Sequence, residues 1–123
     1  MRAANMKQNN PQYQDLEVVK NEYIDRDYII KVSIPEFSCT CPRTGLPDYG
    51  TIDVHYVPNK YIIELKSLKL YIVKFRSVGI FHEHVTNKIM DDLKKAAKPN
   101  KIEIWGRFNP RGGIQTIVEA KYP

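Results

Sequence analysis

The hydrophobic periodicity of the chain changes from two residues to between three and four, and then back to two. The segment YGTIDVHYV, from Tyr49 to Val57, alternates between apolar and polar residues, and so does KIEIWGRF, from Lys101 to Phe108. Between these two segments, apolar residues recur at intervals of three and four. Alternation is typical of half-buried strands, and the longer spacing is typical of helices with one apolar face. The order of the periods therefore predicts a mixed α+β fold.

Four strands and two helices account for these periods. YIIKVSIPEF, from Tyr28 to Phe37, predicts a first strand, and IQTIVEAKY, from Ile114 to Tyr122, predicts the last, after a turn at NPRGG. After the strand-like Tyr61 to Ile63, the stripe of the first helix is Leu65, Leu68, Ile72 and Phe75. The stripe of the second helix is Phe81, Val85, Ile89, Leu93 and Ala97, and Pro99 ends that helix.

The order ββααββ predicts a four-stranded antiparallel sheet with both helices on one face, because this arrangement buries both stripes. Trp105 and Phe108 of the third strand are expected in the core. The edges of so small a sheet would be left unpaired in a monomer. Pairing between subunits would satisfy them, so we expect a ring-like homo-oligomer.

The composition is that of one globular domain. We expect a flexible segment over residues 1–14 and a single domain over residues 15–123. The first residues lack the apolar region of a secretory signal, and no apolar run is long enough to span a membrane, so a cytoplasmic location is expected. The net charge of +5 suggests an anionic partner, but the basic residues are dispersed rather than arranged as a nucleic-acid platform.

Both cysteines lie in the segment FSCTCPRTGLPDYG, from Phe37 to Gly50. Cys41 begins a run of turn-forming residues, where Arg43 could lower the thiol pKa and Asp48 could fold back towards it. A thiolate beside a proton-handling carboxyl is suited to covalent catalysis. The alternatives are that Cys41 is a small buried apolar residue and that Asp48 caps a turn.

A zinc site is the second interpretation of the cysteines. Cys39 and Cys41, together with His82 and His84, would supply four ligands. However, positions i and i+2 of a helix diverge by ~200°, so both histidines cannot readily face one ion. We therefore expect no metal, with Cys39 packed at the strand end and His84 on the surface.

Charged residues near the predicted helix ends have both a structural and a functional interpretation. Glu64 and Glu83 suit helix N-termini, or could accept hydrogen bonds from the N–H groups of a planar ring. Lys66 and Lys69 suit a solvated helix face, or could bind a phosphate together with the glycine-rich turn that follows Arg111.

Four of these segments together resemble one family. ELKSLKLY, from Glu64 to Tyr71, is similar to the signature of the NADPH-dependent 7-cyano-7-deazaguanine reductases, the nitrile reductases of queuosine biosynthesis. CPRTGLPD, FHE and WGRFNPRGG stand around it in the order and spacing of that family, and the resemblance covers Phe37 to Tyr122.

The resemblance implies the tunnelling fold, whose ββααββ units assemble into pentameric barrels, often stacked as decamers, with active sites between subunits. It also implies that the nitrile of 7-cyano-7-deazaguanine is reduced to an aminomethyl group by two NADPH. Cys41 would form a covalent thioimide with the nitrile carbon, and Asp48 would transfer protons.

The resemblance also implies the binding residues. His82 and Glu83 would hold the deazaguanine, and Ile63, Glu64 and Leu65 would complete its pocket. Leu65 stands where the family often has serine, so that contact is expected from the backbone. The cofactor positions are Lys66, Arg111 and Gly112, to which Lys69 is added on its charge; Cys39 and His84 have no counterpart.

Two other functions remain open from the residues. A ring hydrolase of the same fold, resembling GTP cyclohydrolase I, would bind zinc and act on GTP without a reductant. A non-catalytic RNA-binding module would show steeply salt-dependent affinity and would not need Cys41.

Overall fold

A computed structural model describes residues 10–123 of the chain. A 3₁₀ turn at Tyr13–Asp15 comes first, and another, at Lys74–Ser77, follows the first α-helix. The strands are β1 (Val18–Lys20), β2 (Ile30–Thr40), β3 (Pro47–Val57), β4 (Tyr61–Ile63), β5 (Lys101–Phe108) and β6 (Ile117–Tyr122). The helices are α1 (Leu65–Val73) and α2 (His82–Ala97).

The main sheet has the predicted four antiparallel strands, in the order β2-β3-β5-β6. β1 was not predicted; it pairs with β4 in a separate two-stranded sheet, with Val18 opposite Ile63. The sequence predicted that this strand ends at Phe37. In the structure β2 passes through Pro35 and continues to Thr40. The pairing of β2 with β3 shifts register between Ile34 and Phe37, and such an irregularity on an edge strand accommodates a proline.

The core lies between the inner face of this sheet and the two helices. Every second residue of β3 and β5 is buried, as the alternation predicted. These side chains pack against buried residues of both helices, and burying one such side chain stabilises the fold by roughly 1.5–3 kcal/mol. The buried residues include Ile52, Val54, Tyr56, Ile102 and Ile104 from the sheet and Leu68, Tyr71, Ile72, Val85, Ile89, Leu93 and Ala97 from the helices.

The first residue of each predicted helical stripe lies outside the core. Leu65 is 61% exposed and Phe81 is 43% exposed. Leu65 is the first residue of α1, and Phe81 is the N-cap of α2, so each lies at the N-terminal end of its helix. The prediction that these two side chains are core residues is wrong.

Gly106 lets the first turns of α2 lie directly against β5. A Cβ atom at this position would lie 2.3 Å from Thr86 Oγ1. Thr86 is buried, and its hydroxyl donates a hydrogen bond of 2.9 Å to the carbonyl of His82. The glycine therefore determines how closely the N-terminal end of α2 approaches the sheet.

The other face of the sheet carries polar and amphipathic side chains. Trp105 lies on this face, where its indole N–H donates to Glu119 at 2.8 Å and its ring contacts that of His55. Arg107 pairs with Asp53 beside it. The prediction that Trp105 is a core residue is wrong, because its neighbours Ile104 and Gly106 point to the buried face of β5 and Trp105 therefore points to the other face. Phe108 is buried as predicted.

The predicted flexible segment falls largely on residues 1–9, which lie outside the described residues. Near the C-terminal end of this predicted segment, Tyr13 belongs to the 3₁₀ turn. Asp15, the first residue of the predicted domain, accepts a hydrogen bond of 2.9 Å from Lys74. The domain boundary stays a prediction. No helix among residues 10–123 is long and apolar enough to cross a membrane.

Candidate active site

Five of the predicted site residues line one cavity of about 320 Å³. The cavity lies where the loop after β2, the start of β3, the N-terminal end of α2 and the turn between β5 and β6 meet. Its lining consists of Cys41, Pro42, Thr44, Leu46, Asp48, Phe81, His82, Glu83, Arg111 and Thr116.

Cys41 begins a tight loop that is closed by its own backbone. Its N–H donates to the carbonyl of Leu46, and its carbonyl accepts from the N–H of Gly45, both at 2.8 Å. Gly45 has a φ of +72°, a left-handed conformation that strongly favours glycine. The Pro/Gly-rich composition recognised in the sequence thus builds a loop that holds the thiol at the cavity.

Hydrogen bonds to Cys41 hold the pKa of its thiol below the ordinary value. The largest contribution is the hydroxyl of Thr44, followed by the backbone N–H groups of Thr44 and Arg43, while burial and then the charge of Asp48 oppose them. The sequence interpretation assigned this effect to the Arg43 side chain. The structure assigns it instead to the Thr44 hydroxyl and the loop backbone, which stabilise the thiolate.

Asp48 lies on β3, opposite Cys39, rather than in the loop. It is only 7% exposed, and both carboxylate oxygens have a partner. Oδ2 is 3.1 Å from His82 Nε2, and Oδ1 is 3.2 Å from Arg111 Nη2. A carboxyl held between these two groups has a fixed position at the cavity wall.

His82 is fixed on two sides. Its ring is stacked on Phe108, with a centroid separation of 3.9 Å and an angle of 3° between the planes, while Nε2 faces Asp48. Glu83, the next residue of the same helical turn, is exposed and also lines the cavity. The first turn of α2 therefore presents an imidazole and a carboxylate side by side.

Cys39 differs from Cys41 in environment. It is fully buried, its Sγ lies 3.9 Å from the carbonyl oxygen of Ile80, and burial is the main cause that raises its pKa to about 11. The prediction that Cys39 packs at the strand end is confirmed. Of the two thiols, only Cys41 has the environment of a nucleophile.

Apart from Gly112, the remaining predicted residues lie around the start of α1. The Glu64 side chain caps this helix, accepting from the N–H groups of Lys66 and Ser67 at 2.8 Å each, and these bonds lower its pKa. The structural interpretation of Glu64 as a helix-end carboxylate is thus confirmed. Ile63, which precedes it, is buried at the end of β4.

Leu65 and Lys69 line a different cavity, of about 360 Å³, between α1 and β2. Lys66, like Lys69, is exposed on α1. One chain therefore presents the predicted site residues as two groups: those around Cys41 and those at the start of α1.

The turn between β5 and β6 begins at Arg111. Arg111 and Ile114 exchange backbone hydrogen bonds of 2.9 and 3.0 Å, and Gly112 and Gly113 have φ values of +57° and +81°. Arg111, predicted to bind the cofactor, thus lies within the Cys41 group and contacts Asp48. Sequence reasoning missed this contact, because the two residues are far apart in the chain.

Sequence reasoning also missed Phe81, Phe108 and Thr44 as parts of the site. The spacing of Phe81 matched a buried helical stripe, and Phe108 was recognised only as a core residue. The signal for Thr44 was its position within the cysteine loop. Within residues 10–123, no group of three or more His, Cys, Asp or Glu side chains could hold a metal ion.

Comparison with known proteins identifies relatives over most of the chain. A family model described as "QueF-like protein" matches residues 47–123. The chain is 55% identical over 107 residues to the NADPH-dependent 7-cyano-7-deazaguanine reductase of Chloroherpeton thalassium, covering 87% of this chain and 92% of that protein. The enzyme of the same name from Chlorobaculum tepidum is 52% identical over the same shares. The enzyme of the same name from Elusimicrobium minutum is 46% identical, and the match covers 92% of this chain and 85% of that protein.

A solved structure shares the fold. The apo form of an archaeosine synthase QueF-Like protein superposes with a TM-score of 0.71, covering 76% of this chain and 91% of that chain. The sequence identity is 18%, so this similarity establishes the fold alone. It supports the α+β unit that the sequence predicted.

Proposed function

The chain belongs to the family of NADPH-dependent 7-cyano-7-deazaguanine reductases, and from this premise we propose that it reduces the nitrile of 7-cyano-7-deazaguanine to an aminomethyl group. The reaction takes up two NADPH and two protons and releases two NADP⁺. Its product is 7-aminomethyl-7-deazaguanine, an intermediate of queuosine biosynthesis in transfer RNA. The observation that carries the proposal is that a thiol of lowered pKa, Cys41, and a buried carboxyl, Asp48, face the same cavity.

Cys41 is the proposed nucleophile. Its thiolate adds to the nitrile carbon, so that a carbon–sulfur bond forms while one π bond of the nitrile breaks and its electron pair moves to nitrogen. The result is a thioimide, which is a better hydride acceptor than the nitrile. After one hydride has added to this carbon, the carbon–sulfur bond breaks, the sulfur leaves as thiolate and an imine forms. The second hydride reduces the imine carbon, and a proton on nitrogen completes the aminomethyl group.

Asp48 is the proposed acid. In its protonated form the carboxyl delivers a proton to the nitrogen that gains charge as the thiolate adds. Its partners, His82 and Arg111, hold the carboxyl at the wall of the cavity that Cys41 also lines. This fixed position supports the role, because proton transfer requires hydrogen-bond reach.

Two further residues suit the deazaguanine ring. Glu83 can accept hydrogen bonds from two N–H groups at the ring edge, and His82 lies beside it in the same helical turn. Ile63, Glu64 and Leu65 are proposed to complete the pocket from a neighbouring subunit.

NADPH, when bound, supplies hydride. Lys66, Lys69, Arg111 and Gly112 are the residues proposed to hold it. The donor set fits the cofactor, since two exposed ammonium groups and a half-exposed guanidinium are suited to phosphate oxygens. The left-handed Gly112 leaves the adjacent backbone open to a ligand, because a Cβ there would meet no atom within 4 Å.

A homo-oligomer with active sites between subunits would bring the two groups of residues together. The four-stranded sheet has two edges, β2 and β6, that pairing between subunits would satisfy. Pentamers, with or without stacking into decamers, are the proposed assembly. A cytoplasmic location is proposed because a free thiolate persists in a reducing compartment.

The thioimide can be tested without the cofactor. The reduced protein is incubated with 7-cyano-7-deazaguanine alone, and its intact mass is measured. We expect a gain of one substrate mass per chain, carried by the peptide that contains Cys41. The Cys39→Ala variant is the matched control and should gain the same mass, whereas Cys41→Ala should gain none. An adduct that survives in Cys41→Ala would contradict the proposed nucleophile.

A further inference from the structure

Phe108 is the last residue of β5, and neither the family resemblance nor the proposed mechanism gives it a role. It is 1% exposed, and its ring is stacked on the imidazole of His82. The two ring centroids lie 3.9 Å apart, and the planes differ by 3°. A phenyl ring has no proton to exchange, so a contribution to the reaction has to act through the imidazole on which it is stacked.

Two glycines leave the space that the Phe108 ring occupies. Gly50 is the residue of β3 that pairs with Phe108, and a Cβ at this position would lie 3.1 Å from Phe108 Cδ1. At Gly106, two residues earlier in β5, a Cβ would lie 2.9 Å from Phe108 Cε2. Both distances are shorter than ordinary van der Waals contacts. The ring therefore lies close against the backbone of both strands, and a side chain at either glycine would displace it.

A second phenyl ring packs against Phe108 within the core. Phe37 of β2 is fully buried, and its ring lies 6.3 Å from that of Phe108 at an angle of 78°. Aromatic rings favour this nearly perpendicular arrangement. Because core side chains are close-packed, a ring bounded by two glycines, a phenyl ring and an imidazole is held in one position.

The Phe108 ring sets the plane of the imidazole, and within that plane Nε2 of His82 faces Asp48. Nε2 lies 3.1 Å from Oδ2 of the carboxylate. The backbone of His82 is fixed separately, because its carbonyl accepts a hydrogen bond from the Thr86 hydroxyl. The χ2 torsion of a histidine is intrinsically broad, so the backbone alone does not fix the direction of Nε2. The stack on Phe108 restricts this rotation.

His82 is the less exposed of the two partners of Asp48. Its side chain is 18% exposed, whereas that of Arg111, which lies 3.2 Å from the other carboxylate oxygen, is 46% exposed. A long, exposed side chain loses conformational freedom when it is held in an ion pair, so such a pair positions its partner weakly. The orientation of the imidazole is therefore the stronger constraint on the position of the carboxyl.

We propose that Phe108 is a positioning residue of the reductase site: it holds the His82 imidazole with Nε2 towards Asp48 and, through this pair, holds the carboxyl in place for proton transfer. The proposal rests on the proposed function of Asp48, although the orientation of His82 is set before any substrate binds. A purely structural Phe108 would fill the core as Phe37 does. Phe37→Leu is therefore the matched control, because the ring contacts of Phe37 are with Phe75 and Phe108.

Crystal structures of the variants, without substrate or NADPH, test the orientation of His82. In Phe108→Leu the flat surface beneath the imidazole is gone, and we expect Nε2 to lie beyond about 4 Å, the limit of an ion pair, from the Asp48 carboxylate. Phe108→Met keeps more of the side-chain volume without a ring, and it should give the same result even if Phe108→Leu does not fold. Phe37→Leu should leave the distance at 3.1 Å.

Single-turnover reduction of 7-cyano-7-deazaguanine tests whether this orientation is used, with protein and NADPH in excess so that slow variants remain measurable. Phe108→Leu should react roughly tenfold to a hundredfold more slowly than the wild type, because a displacement of about 1 Å in an active site can cost about 10²-fold in rate. Phe37→Leu should react at nearly the wild-type rate. In a His82→Gln background, Phe108→Leu should cause no further loss, because the effects of residues that act through one contact are not additive.

Three results would overturn the proposal. One is an unchanged distance between His82 and Asp48 in the Phe108 variants, or a wild-type rate despite a displaced imidazole. Another is an equal displacement or an equal loss of rate in Phe37→Leu, because this would assign the effect to core packing in general. The third is a loss from Phe108→Leu that is as large in the His82→Gln background as in the wild type. If the wild type does not reduce the nitrile, the proposed function fails, and the crystal structures still decide whether Phe108 orients His82.

Discussion

His82 Nε2 lies 3.1 Å from Asp48 Oδ2, while the imidazole ring is stacked on Phe108. This relationship joins the first turn of α2 to β3, two elements that are far apart in the sequence. It places the residue expected to hold the substrate in contact with the residue expected to move protons. The two roles are therefore structurally coupled.

Asp48→Asn should abolish most of the reductase activity while leaving the fold intact. The amide occupies the same space but cannot donate a carboxylic proton, and loss of a general acid typically costs about 10²–10⁴-fold in rate. NADPH oxidation in the presence of 7-cyano-7-deazaguanine measures this effect. Asp53→Asn on the outer face of the same strand is the matched control and should retain activity. Equal losses in both variants would contradict the assignment.

Gly106→Ala should destabilise the protein by about 1–3 kcal/mol, because the new Cβ would overlap Thr86 Oγ1 in a packed core. Urea unfolding followed by circular dichroism gives the free energy of unfolding. At Gly79 a Cβ would meet its nearest neighbour, Pro42, at 3.5 Å, an ordinary contact. Gly79→Ala should therefore be tolerated, and a larger loss there than at Gly106 would refute this account of the helix–sheet contact.

Glu64→Gln should lower the melting temperature at neutral pH, and the difference from the wild type should shrink on acidification. Hydrogen bonds from the N–H groups of Lys66 and Ser67 hold the pKa of the Glu64 carboxyl below its ordinary value. The stabilisation is therefore fully present above the unfolded pKa of about 4.3 and is lost as pH falls through the folded value. Thermal melts of both proteins between pH 3 and pH 7 test this. A difference that stays constant with pH would count against the ionised cap.

Cys41→Ala and Lys66→Ala should each be inactive as separate proteins, yet active when the two chains are co-expressed. If Cys41 and Lys66 of one site come from different subunits, random mixing restores about a quarter of the sites. Activity of the purified mixed oligomers measures this. Lys101→Ala, which removes an exposed lysine elsewhere, should be active by itself. Mixed oligomers without activity would show that each site uses residues of one chain.

The sequence predicted the elements whose side-chain pattern is long and regular. β3 and β5 were predicted from an alternation of apolar and polar residues that continues along the strand. α2 was predicted from an apolar spacing that continues over more than two helical turns. β1 was missed, because three residues carry no recognisable period and its pairing with β4 depends on the tertiary fold. The outward direction of Trp105 was missed because aromatic character was given more weight than the alternation that contains it.

The candidate site was predictable as a set of residues but not as an arrangement. The motifs named Cys41, Asp48, His82, Glu83 and Arg111, and the fold brings these five to one cavity. Their contacts were not predictable, because they depend on how strands and helices meet. The cause of the lowered Cys41 pKa was also missed, since backbone N–H directions are set by loop geometry rather than by residue type.

The most direct test of the central claim is NADPH consumption, followed by absorbance, with 7-cyano-7-deazaguanine supplied and the product identified by mass. The proposed function predicts two NADPH oxidised per aminomethyl product by the wild-type protein and none by Cys41→Ala. No consumption by folded, reduced protein would contradict the reductase function. Activity on GTP without a reductant would then favour a ring hydrolase, and salt-dependent RNA affinity that is indifferent to Cys41→Ala would favour an RNA-binding module.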